Sequence, residues 1–390
     1  MDLYNFLNST DSSFSYQRSF NFAGIRFCMF TEEKAAIDEI EQYISPTYNE
    51  KESLVEKSVE VRFVINQSME NMIRDLCSKD GEIITAKTDI TYKKIKKDGM
   101  ILYCSDLGEK PHSIVIYDGK FAVIGASHSV SSIRGPLRVI REVALRKLEN
   151  QGGCFTHAAA VAFDQGETGA LIIGNSGAGK SSIMWHLLMH GNADFITNDR
   201  SISLLENDQL HVFGWPMCLR LGMGMVRATT DVNELQKRTY SREQAKGLWE
   251  QEVNNEVVAK KNWGNKDKLE ITPVEASEIT GAKVRSRTVV NVLFFPQLKI
   301  GTGKIRLIPA NDRKAEEILH DNIREPADED YGKGWLDQRK VSDAFLIERS
   351  NAIIKHFSKL PRFYIVGDPR YLSEVTTELL AWTKSESWSI

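Results

Sequence analysis

Along the first third of the chain, apolar residues come in short alternating runs separated by turn formers, the period-two signature of strands with one buried face. Residues 59–64 (VEVRFV), 82–88 (EIITAKT), 101–104 and 113–116, the last ahead of an Asp118-Gly119 turn, are predicted strands. The front part is therefore expected to be β-rich. At residues 135–148 the period changes: Val139, Ile140, Val143, Ala144 and Leu148 recur at helical spacing, and Gln151-Gly152-Gly153 breaks the run. From Cys154 onward, strands and helices alternate. Residues 157–163, 169–173, 195–197, 202–205 and 211–213 predict strands, and 180–189 predicts a helix. The continuous apolar character of 169–173 predicts burial on both faces, which is α/β logic. Further strands are expected at 289–295 and 363–366, with helices at 315–319, 344–358 and 372–382.

This change of pattern divides the chain into a β-rich N-terminal domain over 1–134 and an α/β domain over 135–390. The latter carries an insertion at about 235–268, dense in Lys, Arg, Glu and Gln and ending in KKNWGNKDK, which predicts a solvated helix and loop. There is no internal repeat and no low-complexity tract. At 390 residues, with 42% hydrophobic and 26% charged side chains, the composition is that of a globular protein with ample core. No apolar run approaches the roughly 18 residues of a transmembrane helix, and the opening MDLYNFLNSTDSSFSYQR lacks the basic start and apolar centre of a secretory signal. The five cysteines are odd in number, far apart and without CxxC spacing, against a disulfide framework or a structural zinc. A soluble, cytoplasmic protein is expected. With 50 Lys plus Arg against 53 Asp plus Glu, the formal charge of -3 exerts no general pull on nucleic acid, and neither a nucleic-acid nor a membrane partner is expected. An anion would have to be met by a local site.

Such a site is present. Gly174, Asn175, Ser176, Gly177, Ala178, Gly179, Lys180, Ser181 and Ser182 follow an apolar strand, open a helix-forming run and match G-x-x-x-x-G-K-[ST], the phosphate-binding P-loop. Glycines let the backbone curl around a phosphate with its N–H groups inward, and the helix starting near Lys180 adds its positive end. Lys180 would meet the β and γ phosphates and Ser181 would offer an oxygen to Mg2+. The bland alternative, a glycine turn that happens to carry a lysine, has to explain strand, spacing and helix together.

The flanks narrow the reading. Phe155-Thr156-His157-Ala158-Ala159-Ala160-Val161 precedes the loop and Ala193-Asp194-Phe195-Ile196-Thr197-Asn198-Asp199-Arg200 follows it. Together with 174–182 these segments resemble the HPr kinase/phosphorylase superfamily, whose core has a His-bearing strand, a P-loop and an Asp-Asp pair ending the next strand. The resemblance covers roughly residues 137–298, with echoes at Phe213-Gly-Trp-Pro216, 219–224 and Phe294-Phe295-Pro296. It implies an α/β, HPr kinase C-terminal-like core, distantly related to phosphoenolpyruvate carboxykinases, and ATP with Mg2+ as cofactors. Two departures matter. Asn198 stands where the family has its first Asp, leaving Asp199 as the single carboxylate to act as base or metal ligand. In 219–224 (LRLGMG) the Glu and Arg that the HPr-specific enzymes carry are absent at matching positions. The resemblance thus implies a relative of the HPr kinases with another substrate, a group that includes peptide-tailoring kinases.

Each residue has an ordinary alternative. His157 beside an apolar run is otherwise a core histidine; the resemblance gives it a catalytic place near the γ phosphate. Asp199 is otherwise a turn former, but it ends a strand where open α/β sheets hold carboxylates. Arg200 is a strand-end charge or a positive group near the transferring phosphoryl, and Arg220 a surface charge or a substrate contact. Trp215-Pro216 reads as packing, and Lys260, Lys261, Lys266 and Lys268 as a solvated loop or one that closes over the nucleotide. His186 and His190 share a helix face, but no third ligand makes zinc. The expected activity is a bacterial Mg-ATP-dependent kinase acting on a hydroxyl of a peptide, protein or small molecule. A nucleotide-dependent switch and a reversible, pyrophosphate-using variant are the rivals. The front domain is expected either to recognise the acceptor or to join a homo-oligomer.

Overall fold

The computed structural model describes residues 3–8, 13–44, 57–87, 90–105, 112–222, 224–226, 268–324, 326–328 and 333–384. The expected charged insertion, apart from Lys268, lies outside the described residues. The chain forms two mixed α/β units, Met1–Gln151 with Glu325–Leu346, and Gly152–Arg324 with Ile347–Ile390. The boundary expected after residue 134 therefore falls after 151, and the first unit also takes a segment from late in the chain. The reason lies in the helix at 135–150: its Val139, Ile140, Val143 and Leu148 are buried, and it packs on strands of the front sheet.

The first unit comprises α1 Leu3–Asn8, β1 Tyr16–Phe22, β2 Ile25–Thr31, α2 Lys34–Ile44, β3 Lys57–Ile65, α3 Gln67–Asp80, β4 Glu82–Lys87, β5 Ile90–Lys97, β6 Met100–Ser105, β7 His112–Tyr117, β8 Lys120–Gly125, α4 Val130–Ile133 and α5 Gly135–Asn150. Its eight strands run in the order β1-β2-β3-β8-β7-β6-β5-β4, with β3 parallel to both β2 and β8. Helices α2 and α3 were not anticipated from the strand-like front pattern. α2 buries Ala36, Ile37, Ile40, Tyr43 and Ile44, and α3 starts where the Asn66 side chain accepts a hydrogen bond from Met69 N–H. The late segment docks through Trp335, which stacks on Tyr92 with ring centroids 4.7 Å apart, and through Arg339, which pairs with Glu149. Arg146, fully buried between Glu142 and Glu149, donates to both and to the Lys333 carbonyl.

The second unit holds β9 Cys154–Thr156, β10 Ala158–Phe163, β11 Thr168–Ile173, α6 Lys180–His190, β12 Asp194–Thr197, β13 Ser201–Glu206, β14 Gln209–Gly214, β15 Leu219–Gly222, β16 Lys268–Ile271, α7 Pro273–Thr280, β17 Arg287–Leu298, β18 Arg306–Pro309, α8 Arg313–Asn322, α9 Asp343–Phe357, which begins in the late segment of the first unit, β19 Arg362–Gly367 and α10 Thr376–Lys384. The sheet runs β12-β10-β11-β17-β14-β13-β9, with β19 beside β17 and β18 beside β19; β15 and β16 pair separately. β17 is the hub, antiparallel to β14 through its first residues and parallel to β11 and then β19 further on. The strand pattern explains the burial. On β10, Ala159, Val161 and Phe163 pack with α6 on one face, while Ala158, Ala160 and Ala162 pack with α8 and α9 on the other. No helix among the described residues is long and apolar enough to cross a membrane.

Candidate functional site

β11 ends at Ile173 and α6 begins at Lys180, so the six residues between must reverse the chain tightly. Gly177 and Gly179 take left-handed backbone angles, φ 82° and 114°, which L side chains adopt only with strain. A β-carbon on Gly179 would also come within 2.7 Å of Leu298. Gly174 has no such angle and its expected freedom is not used, although a β-carbon there would stand 3.3 Å from that of Ala178. The turn is closed by Ala178 N–H to the Asn175 carbonyl, and it is fastened to the end of β17 by Leu298 N–H to the Ala178 carbonyl at 3.0 Å. Asn175, Ser176 and Gly177 are exposed, Ser181 and Ser182 half-buried. The result is a hydrogen-bonded, glycine-lined turn at a helix N-terminus.

Lys180 is only 6% exposed. Its ammonium donates to the Gly174 and Asn175 carbonyls and lies 3.3 Å from His157 Nε2. Burial, joined by the like charge of Lys268 and opposed by Asp199, pushes it down to about 8. His157 Nε2 lies 3.0 Å from Asp199 Oδ1. One ring nitrogen cannot both donate to the carboxylate and accept from the ammonium. The shorter contact to an anion, which only accepts, assigns the proton to Nε2–H···Oδ1 and leaves Lys180 to its carbonyls. Asp199 is raised by burial, but the His157 hydrogen bond and charge, Arg200 and Lys180 outweigh that and hold it at about 2. Arg200 Nε stands 3.9 Å from Asp199 Oδ2. His157, Lys180, Asp199 and Arg200 are therefore brought together.

The topology does this. His157 was expected within a strand; it sits instead in the one-residue break between β9 and β10, its N–H bonded to the Asn322 carbonyl at 2.7 Å. Asp199 sits in the turn between β12 and β13, closed by the Thr197 hydroxyl donating to the Arg200 carbonyl. β9 pairs with β13 and β10 with β12, so the two crossings, from one arm of the sheet to the other, lie side by side and their side chains meet.

Asn198 is 3% exposed and its carboxamide Oδ1 has no hydrogen-bond partner among the described residues. A buried oxygen without a partner, on the residue that precedes an ionised carboxylate in sequence, has the chemistry of a hard cation's ligand. By donor chemistry alone, the Ser181 hydroxyl, the ionised Asp199 and the Asn198 carboxamide are the oxygen groups that a hard cation such as Mg2+ takes. Among the described residues no group of three His, Cys, Asp or Glu forms a metal cluster. His186 is buried with Nε2 2.7 Å from the Thr376 hydroxyl, which ties α6 to the turn of α10.

Arg220 is not brought to the loop residues by its ion pair: it faces Glu270 across β15 and β16 at 3.1 Å, its side chain 57% exposed. Trp215 is buried edge-on against Phe155, as packing requires. Lys260, Lys261 and Lys266 lie outside the described residues. Sequence reasoning missed Asn322, which anchors His157, and Leu298, which anchors the turn; both act through backbone atoms and leave no side-chain signature. No family model and no curated protein matches the chain.

Proposed function

We propose that this protein is a nucleoside-triphosphate-dependent phosphotransferase with an HPr kinase-like core, moving the γ phosphoryl group to a hydroxyl acceptor, with ATP as donor. The observation that carries the reading is the convergence of the P-loop lysine with a hydrogen-bonded His157–Asp199 pair. Phosphoryl transfer needs positioning and neutralised charge more than covalent help. The loop amides and Lys180 supply this for the β and γ phosphates, and Arg200 adds charge at the same rim. Ser181 and Asp199 would hold Mg2+, which when bound would supply positive charge to offset the phosphate oxygens. A carboxylate held at about 2 is a poor proton acceptor. Asp199 therefore orients the imidazole through Nε2–H, and His157 Nδ1, which has no partner among the described residues, takes the acceptor hydroxyl's proton as the O–P bond forms and the nucleoside diphosphate leaves.

The test is label transfer from γ-labelled ATP to a cell extract or to products of neighbouring genes. Lys180→Ala should abolish transfer and weaken Mg-ATP in calorimetry, and His157→Ala should lower transfer far more than it lowers binding. Undiminished ATP binding by Lys180→Ala would refute the loop assignment. Extracts that never become labelled, while ATP and a non-hydrolysable analogue promote the same partner binding, would replace the kinase by a switch.

A further inference from the structure

The opposite flank of the loop carries a second group of features, and the inference drawn from them rests on the reading that the loop holds a nucleoside triphosphate. β11, β17 and β19 are parallel neighbours, so their C-terminal ends open on the same rim, where ligands of open α/β sheets lie. His157 and Asp199 stand on the β10 and β12 side of the loop. A triphosphate with its γ end against them leaves the loop in the other direction, over the ends of β17 and β19.

There the chain forms a fixed shelf. Directly after Leu298, which is bonded to the loop, Lys299 N–H donates to the Gly367 carbonyl at 2.9 Å. Gly301 N–H donates to Asp368 Oδ2 at 2.7 Å, and Asp368 N–H to the Gly303 carbonyl at 2.9 Å. Gly301 and Gly303 are both left-handed, φ 80° and 84°. Asp368 is fully buried and paired with Arg370 at 2.6 Å, and these bonds hold its carboxyl well below the usual carboxylate range. A solvent turn needs no such clamp. Two large apolar side chains nevertheless stay exposed on it, Ile300 at 38% and Tyr371 at 36%. The Lys299 ammonium has no partner among the described residues. Single exposed apolar residues are common; here one follows β17 and one follows β19, on the two segments that the Lys299, Gly301 and Asp368 hydrogen bonds join, and the Lys299 cation directly follows the residue bonded to the loop.

We propose that this shelf receives the nucleoside of the bound triphosphate, with the base against Tyr371 and Ile300 and the α phosphate met by Lys299.

The experiment compares Mg-ATP with Mg-tripolyphosphate, which keeps three phosphates and lacks the nucleoside, by calorimetry on the full chain. Tyr371→Ala should weaken ATP about tenfold, as loss of one base–aromatic contact does, and leave tripolyphosphate unchanged. Ile300→Ser should act in the same direction, and Lys180→Ala should weaken both ligands. If Tyr371→Ala and Ile300→Ser leave ATP unchanged while Lys180→Ala weakens both ligands, the shelf is overturned and the loop reading stands. Equal loss of ATP and tripolyphosphate in Tyr371→Ala would mean a distorted turn and also overturns the shelf. If Lys180→Ala affects neither ligand, the loop reading falls and the shelf with it.

Discussion

Asp199 carries opposing demands on one side chain. It faces His157 at 3.0 Å and Arg200 at 3.9 Å, and it follows a buried asparagine in sequence. Asp199→Asn keeps the shape but turns an acceptor-only group into one that also donates, so the imidazole loses its fixed tautomer and any cation loses a charge. Single-turnover phosphoryl transfer should fall by at least about a hundredfold, while Mg-ATP affinity should change far less. Near-parental turnover would mean that the residue only forms a turn. Asn198→Ala should be milder, since it removes a neutral oxygen. The residue scale was the most legible in sequence at the loop and the least at this pair. His157 and Asp199 lie 42 positions apart, and no periodicity joins them; the resemblance singled out His157, and Asp199 had its place at a strand end besides.

At the scale of elements, α6 carries the loop at one end and a titrating anchor in its middle. His186 is buried, bonded to the Thr376 hydroxyl and beside the ring of His190 at 5.0 Å. Burial first, and the charge of His190 second, push its imidazole down from 6.5 to about 4. The folded state thus keeps the ring neutral while the unfolded chain takes up a proton below 6.5. Stability from this group is present above 6.5 and is lost as pH falls towards about 4, at most about 3 kcal/mol. Urea melts between about pH 4 and about pH 7 should show that slope, and His186→Gln should flatten it; parallel curves would refute the assignment. Asp199 and Asp368 are held lower and lose their contribution nearer the acid end in both proteins, so they cancel in the comparison.

At the scale of the whole molecule, the chain closes its first unit with residues that come more than 180 positions after the helix they join. Arg146 accepts the burial of two carboxylates, Glu142 and Glu149, and these in turn hold Trp335 N–H and Arg339. Removing the guanidinium leaves Glu142 buried without a cation and Glu149 with Arg339 alone. Arg146→Met should therefore cost about 3–5 kcal/mol in chemical denaturation and speed amide exchange at 333–340. A variant as stable as the parent would show the cluster to be dispensable. The sequence boundary at 134/135 missed this closure because α5 is read from its own spacing, whereas its partners lie on β3, β8 and the late segment.

What the sequence determined by itself was local: the glycine turn before Lys180, the doubly buried strand ahead of it, the start of α6, and the change from alternating to helical period at 135. Backbone angles, capping and the face a side chain takes depend on near neighbours, so they are written where they act. α2 and α3 were equally local, yet their short apolar spacing was submerged in a region of alternating runs. Which strand ends meet was decided only in the folded sheet. The β9–β13 and β10–β12 pairings set His157 against Asp199, and β17 between β11 and β19 brings the Asp368 clamp to the rim of the loop. These are contacts between distant residues, and they exist only once burial of both sheet faces has fixed the strand order.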